Sequence, residues 1–132
     1  GKRWIIEGSS VVGKIQPSHD HPLGGEVVIL DSWDGHLYGL DGSNGNQLWN
    51  ATLGPDYDNK GGAASTPCLS EDGASVFVGG PDGVWAIDVS TGAKLWHYYA
   101  GSQCGSSPTL TADNNLVIGS EDGYLYSLDF EI

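Results

Sequence analysis

Short stretches of alternating apolar and polar residues recur along the chain, separated by turns that contain glycine. The clearest are Glu26–Leu30, Ser75–Gly79 and Asn115–Gly119. They are followed by His36–Leu40, Val84–Asp88 and Tyr124–Leu128, and then by Asn46–Ala51 and Ala93–Tyr98. β-Branched and aromatic residues fill them at a period near two, and no window carries the apolar stripe of a helix. The pattern predicts an all-β chain of short strands. Asp34-Gly35, Asp82-Gly83 and Asp122-Gly123 separate the first set of strands from the second. Asp-Gly favours a tight hairpin whose central residues need positive φ. Asn44-Gly45 and Thr91-Gly92 form the next turn, and Gly24-Gly25, Asp72-Gly73 and Asp113-Asn114 precede the first set.

The alternation is itself repeated. DGHLYGLDGSNGNQLW (Asp34–Trp49), DGVWAIDVSTGAKLW (Asp82–Trp96) and DGYLYSLDFEI (Asp122–Ile132) align directly. Upstream, STPCLSEDGASVFVGG (Ser65–Gly80) aligns with SSPTLTADNNLVIGS (Ser106–Ser120), and the first copy, Ile15–Ser32, is looser. Asp82 to Asp122 is 40 residues, Trp49 to Trp96 is 47 and Trp4 to Trp49 is 45; an insertion at Gly54–Ala63 lengthens the period. Such a period fits propeller blades or helical repeats, and strand-like composition selects blades. A short strand A after the Ser/Thr-Pro element completes four antiparallel strands, A to D, per repeat. Arg3–Glu7 reads as a further strand D.

The repeats share the pattern small-x-Asp-x-x-x-Gly-x-x-x-Trp. It runs Gly39, Asp41, Gly45, Trp49, then Ala86, Asp88, Gly92, Trp96, and begins again at Ser127 and Asp129. In these residues, and over nearly its whole length, the chain resembles the PQQ-like β-propeller repeats of quinoprotein dehydrogenases and related non-enzymatic propellers. The resemblance implies three propeller blades in one domain, residues 1–132. It also implies a tryptophan-docking role in which Trp4, Trp49 and Trp96 hold neighbouring blades together. The physics suits that role. An indole laid on the next blade can donate its N–H to a backbone carbonyl while burying about 150–250 Å², an upper figure of roughly 4–6 kcal/mol. The Asp can accept bonds from the following turn, and the Gly supplies positive φ.

Composition narrows the function. With 21 Gly in 132 residues, 39% hydrophobic residues, 5 Trp and 6 Tyr, the chain is too apolar for disorder and reads as many strands on tight turns. Its formal net charge is −12, and Lys2, Arg3, Lys14, Lys60 and Lys94 are its only basic residues apart from histidine. That argues against an unassisted nucleic-acid binder or a binder of anionic membranes. No apolar run approaches the roughly 18 residues of a membrane span. There is no Met, so Gly1 is a processed terminus, a tag remnant or the start of a fragment. Cys68 and Cys104 lack metal-site spacing; a disulfide between them and two free thiols both remain open.

The resemblance implies, for its enzymes, PQQ on the propeller axis with Ca²⁺ or another metal, held by acidic and amide ligands. An Asp base, a basic residue near the quinone and often an adjacent Cys-Cys pair complete the set. This chain departs from that set: its cysteines are not adjacent, Arg3 is its only arginine, and no carboxylate–amide group maps onto the ligands. Ser18-His19-Asp20-His21 places two imidazoles at i, i+2, short of the three or four ligands a site needs. Asp56-Tyr-Asp58-Asn-Lys60-Gly61 has the glycine of a calcium loop, but Lys60 falls at a ligand position and Pro67 where Glu belongs. Asn50-Ala51-Thr52 matches a glycosylation acceptor. No catalytic, cofactor or metal residues are therefore expected.

The leading expectation is a non-catalytic propeller module that binds a protein or ligand. The alternative is a segment of a PQQ-dependent dehydrogenase without its catalytic residues. Non-catalytic members of the family include outer-membrane assembly lipoproteins and the propeller tail of an adenylate-forming enzyme, which tilts the expected location to the extracytoplasmic side. The strand inventory begins with a D and ends after a C. Two chains exchanging residues 3–7 would complete each other's last blade as a six-bladed homodimer, the favoured arrangement. A fragment of a longer propeller is the competing one.

Overall fold

The computed structural model describes residues 11–15, 17, 19, 22, 24–31, 36–53, 67–80, 83–99, 108–113, 115–120 and 123–129. The strand expected at 3–7 with Trp4, the Asp34-Gly35 turn, and His21, Cys104 and the Asp56–Gly61 loop lie outside them.

Alternation produces antiparallel sheets stacked face to face. The first contains β1 (Val11–Ile15), β2 (Gly25–Asp31), β3 (His36–Asp41) and β4 (Gln47–Thr52), in that order. The second contains β5 (Cys68–Leu69), β6 (Ser75–Gly80), β7 (Gly83–Asp88) and β8 (Lys94–Tyr98), again in chain order. In the third, β9 (Thr109–Leu110), β10 (Asn115–Gly119) and β11 (Leu125–Asp129) are the described strands. Each meander is a propeller blade, with strands A to D in the first two and A to C described in the third, and the A strands of successive blades are neighbours.

The period of two divides the core between the blade interfaces. Val27, Ile29, Leu37, Trp49, Ala51 and Leu53 of blade 1 pack on Val76, Val78, Ile87 and Val89 of blade 2. The residues between them in sequence face the other way. Phe77, Val84 and Ala86, with half-buried Trp96, pack on Leu116 and Ile118 of blade 3. Hydrophobic burial is thus spent between blades, so each blade depends on its neighbours.

Two local expectations are corrected. Val11 pairs with Ile29 as Cys68 pairs with Phe77, so the first blade's strand A is Val11–Ile15. It precedes Pro17 instead of following it within the looser copy at Ile15–Ser32. Proline at 17 removes a ladder donor just where the strand ends. In blades 2 and 3 the Gly of Asp-Gly is not a central residue of a two-residue hairpin. In blade 2 the ladder runs to Gly80↔Gly83, leaving Pro81-Asp82 as the connection. In blade 3 Gly123 N donates to Ser120 O and Ser120 N to Tyr124 O. The glycine therefore follows the turn, at φ 118° for Gly83 and 92° for Gly123, where it relaxes the backbone back into the strand.

The A–B turn of blade 2 is held by Asp72, whose Oδ1 accepts from the Ser70 hydroxyl (2.7 Å) and Ala74 N (3.0 Å). The Ser70 hydroxyl, and then the Ala74 amide, hold its carboxyl below the ordinary value of 3.8. A depressed folded-state value adds stability above the unfolded one, which is lost as pH falls through the folded one. Because the group is exposed, Asp72→Asn is expected to cost under about 1 kcal/mol at pH 7. Denaturant midpoints of variant and parent should converge as pH drops below 3.8.

Candidate functional site

The shared motif folds into the C–D turn and the outer strand. Asp41 Oδ1 accepts from Ser43 N (2.8 Å) and Ser43 Oγ (2.6 Å), and Asp88 Oδ1 accepts from Ser90 N (2.8 Å) and Ser90 Oγ (2.7 Å). Gly45 N and Gly92 N donate back to Asp41 O and Asp88 O, with φ at 77° and 75°. One carboxylate oxygen of each aspartate is thus bonded within its own turn. The chain then re-enters the sheet as the fourth strand, one residue out of step. Gly39 pairs with Trp49 but Leu40 with Gln47, and Ala86 with Trp96 but Ile87 with Lys94. Leu48 and Leu95 are the extra residues of these bulges, which accounts for their exposure.

Trp49 shows what the pattern positions. It is 7% exposed, and its Nε1–H donates to Val89 O in blade 2 at 2.7 Å. A Cβ on Gly92 of blade 2 would stand 2.7 Å from the indole, and one on Gly39 would strike the other side. The ring is clamped between two glycines from successive blades. In blade 2 the small residue is Ala86, and Trp96 is only half-buried, tilted at 32° to Phe77 with centroids 5.8 Å apart. Ser127 and Asp129 occupy the matching places in β11, both exposed. Sequence reading assigned Gly92 to backbone conformation alone. Its second task, giving the indole a floor, shows only when two blades are side by side.

The ends of the stack are unlike its interior. Leu37 and Val84 are 0% exposed, whereas Leu125, at the same register position in blade 3, is 74% exposed. Val117, the counterpart of buried Ile29 and Phe77, is half-buried. At the other end, half-buried Val28 and Leu30 correspond to buried Val76 and Val78. Among the described residues no atom lies within 4 Å of where a Gly45 Cβ would be, the spot equivalent to the Trp49 seat on Gly92. An open groove of about 860 Å³ runs along this end of blade 1, past Lys14, Ile15, Glu26, Ser43 and Leu48.

Other chemistry is sparse. Across the two outermost strands of blade 2, Trp85 of β7 stacks on His97 of β8 (3.9 Å between centroids, 8°), with Lys94 Nζ 4.9 Å from the Trp85 ring. Sequence reading passed over this trio, because the bulge that sets its register has no signal of its own. Cys68 is a free, half-buried thiol, His19 lies at an exposed bend, and Asn50 is exposed on β4. Among the described residues no three His, Cys, Asp or Glu side chains come within reach of one metal ion. The described A strands, which converge at the inner edge, carry no carboxylate or amide side chain. No helix among the described residues is long and apolar enough to cross a membrane.

A family profile described as outer membrane protein assembly factor BamB matches residues 2–131. The chain belongs to the PQQ-like β-propeller repeat family. BamB from Moraxella catarrhalis is similar in structure, with a TM-score of 0.64 at 27% identity, covering 78% of this chain and 30% of that one. The quinohemoprotein alcohol dehydrogenase from Pseudomonas putida HK5 matches at a TM-score of 0.60 and 20% identity, covering 71% of this chain and 19% of that one. That likeness concerns the fold. Among curated proteins, the β-alanine-activating enzyme of Danio rerio is 33% identical over 109 residues, 78% of this chain and 9% of that protein. The chain thus spans under a tenth of the curated relative and under a third of the solved BamB.

Proposed function

We propose that this chain is a non-catalytic scaffolding module: a propeller unit over residues 1–132 that binds a protein partner and forms an arc of a larger ring. The carrying observation is that the motif carboxylates, Asp41 and Asp88, are spent on their own turns. One oxygen of each holds its own turn, which supports a structural role for these carboxylates over ligand binding. Trp49, clamped between Gly39 and Gly92, supports the docking role for the motif and, by its pattern, for Trp4 and Trp96. The exposed end faces support completion of the ring by further blades. For the 132-residue chain the reading is a six-bladed homodimer. Kinship with an assembly factor of the outer membrane makes an extracytoplasmic location the first to examine.

The test is a titration of the purified chain with PQQ and Ca²⁺. The expected result is no quinone absorbance carried through gel filtration and no oxidation of alcohols or sugars with an artificial acceptor. Micromolar affinity with metal-dependent turnover would establish the dehydrogenase reading instead.

A further inference from the structure

We propose that Asn44 is a site of spontaneous covalent modification. It deamidates through a cyclic imide with Gly45, at a rate set by opening of the C–D turn, and its isoaspartate product undoes the Trp49 clamp. The inference is independent of what the propeller binds.

The sequence supplies the reactants. Of the asparagines, at 44, 46, 50, 59, 114 and 115, only Asn44 precedes a glycine. Without a Cβ, Gly45 lets its backbone nitrogen approach the preceding carboxamide closely. That nitrogen attacks Asn44 Cγ and loses its proton to solvent. The new N–C bond replaces the C–N bond of the carboxamide, whose nitrogen leaves as ammonia. Water then opens the imide at either carbonyl. One opening gives aspartate at position 44; the other gives isoaspartate, in which the main chain runs through Cβ. The sum is amide plus water to acid plus ammonia, with no oxidant or cofactor.

The structure arms one reactant and restrains the other. Asn44 is exposed, and its Oδ1 accepts from Asn46 N at 2.9 Å. Negative charge develops on that oxygen during the attack, and a donor already aimed at it stabilises the charge. Gly45 N, the nucleophile, donates to Asp41 O at 2.7 Å, and Asp41 Oδ1 holds Ser43 in the same turn. A hydrogen-bonded N–H keeps its proton, so the attack waits for that bond to break. The bond between Asn44 and Asn46 is local and does not depend on it. Exposed turns open at the low end of the local free-energy range, so the folded chain is expected to react about 10–100-fold more slowly than the unfolded one.

Blade 2 carries the same turn without the reactive group. Thr91 Oγ1 accepts from Ala93 N at 3.2 Å, and Gly92 N donates to Asp88 O at 2.8 Å. A hydroxyl there does the work of the Asn44 carboxamide and cannot form the imide. The consequence in blade 1 follows from connectivity. Aspartate at position 44 keeps an acceptor for Asn46 N and adds one negative charge. Isoaspartate lengthens the main chain inside the ring that the bond from Gly45 N to Asp41 O closes, just ahead of the bulge at Leu48. β4 then shifts against β3, and Trp49 loses the pairing with Gly39 that seats it between blades.

The test incubates the folded chain, the chain unfolded in guanidinium chloride, and folded Asn44→Thr and Asp41→Ala in warm, mildly alkaline buffer. Peptide mass spectrometry follows each asparagine. In the folded chain position 44 should convert ahead of the others, and about 10–100-fold faster once unfolded. Asp41→Ala should react faster than the parent, and Asn44→Thr should show no conversion at that position. If Asp41→Ala does not fold, Ser43→Ala, which removes only the 2.6 Å hydroxyl bond, takes its place. Ion exchange separates the converted chains, and carboxyl methylation by an isoaspartyl methyltransferase marks isoaspartate among them. Chains with isoaspartate should melt below the parent, whereas Asn44→Asp and Asn44→Thr should melt with the parent. Asn44 still intact in the folded chain after about a hundred half-lives of the unfolded reaction would overturn the site. Equal rates in the folded and unfolded chain would overturn the gating by the turn. An isoaspartate chain that melts with the parent would overturn the link to Trp49.

Discussion

Trp49→Ala is expected to destabilise the chain by about 3–5 kcal/mol, the usual cost of removing a large buried aromatic side chain. The substitution removes an indole that is 7% exposed and spans two blades. It also removes the donor of the 2.7 Å bond to Val89 O. The void would lie between Gly39 and Gly92, neither of which has a side chain to fill it. Trp96→Ala should cost less than Trp49→Ala because Trp96 is only half-buried, but far more than His19→Ala at an exposed bend, roughly 0.5 kcal/mol. Urea denaturation of the three variants orders them. Equal midpoints for Trp49→Ala and His19→Ala would show that the indole bears no load between blades.

Gly92→Val should be nearly as damaging, by roughly 2–5 kcal/mol, for two separable reasons. The position has φ 75°, where a side chain costs about 1–2 kcal/mol and a β-branched one is least tolerated. A Cβ there would also stand 2.7 Å from the Trp49 ring, and overpacking typically costs about 1–3 kcal/mol. Gly45 separates the two terms. Its φ is 77°, and among the described residues nothing lies within 4 Å of a Cβ placed there, so Gly45→Val is expected to carry the strain alone. Thermal melts should place Gly45→Val between the parent and Gly92→Val. A Gly45→Val variant as unstable as Gly92→Val would mean that the seat on blade 1 is filled in solution, by an indole as on blade 2.

The period-two alternation and the Asp-Gly, Asn-Gly and Thr-Gly punctuation carried most of the fold, because strand faces and turns are local properties. Residues 26–30, 75–79 and 115–119 are strands as the alternation requires. Where the sequence misled, the cause was non-local. Pro17 resembles the prolines before β5 and β9, but the register of Val11 against Ile29 puts β1 ahead of it. The Gly of Asp82-Gly83 looks like half of a two-residue turn until Gly80↔Gly83 pairing moves it into the strand. The site was legible as a motif and opaque as geometry. Trp49, Gly39 and Gly92 are named by spacing, while their assembly into a clamp depends on a bulge at Leu48 and on the blade beyond. The exposure of Leu125 is invisible in sequence, since an identical strand pattern is buried in two blades and open in the third.

The proposed reading is a scaffolding arc that pairs with a second copy to complete its ring. Static light scattering of the 132-residue chain at micromolar concentration tests it most directly. The account predicts a stable mass about twice 13.9 kDa. A stable mass of 13.9 kDa across the concentration range would contradict it.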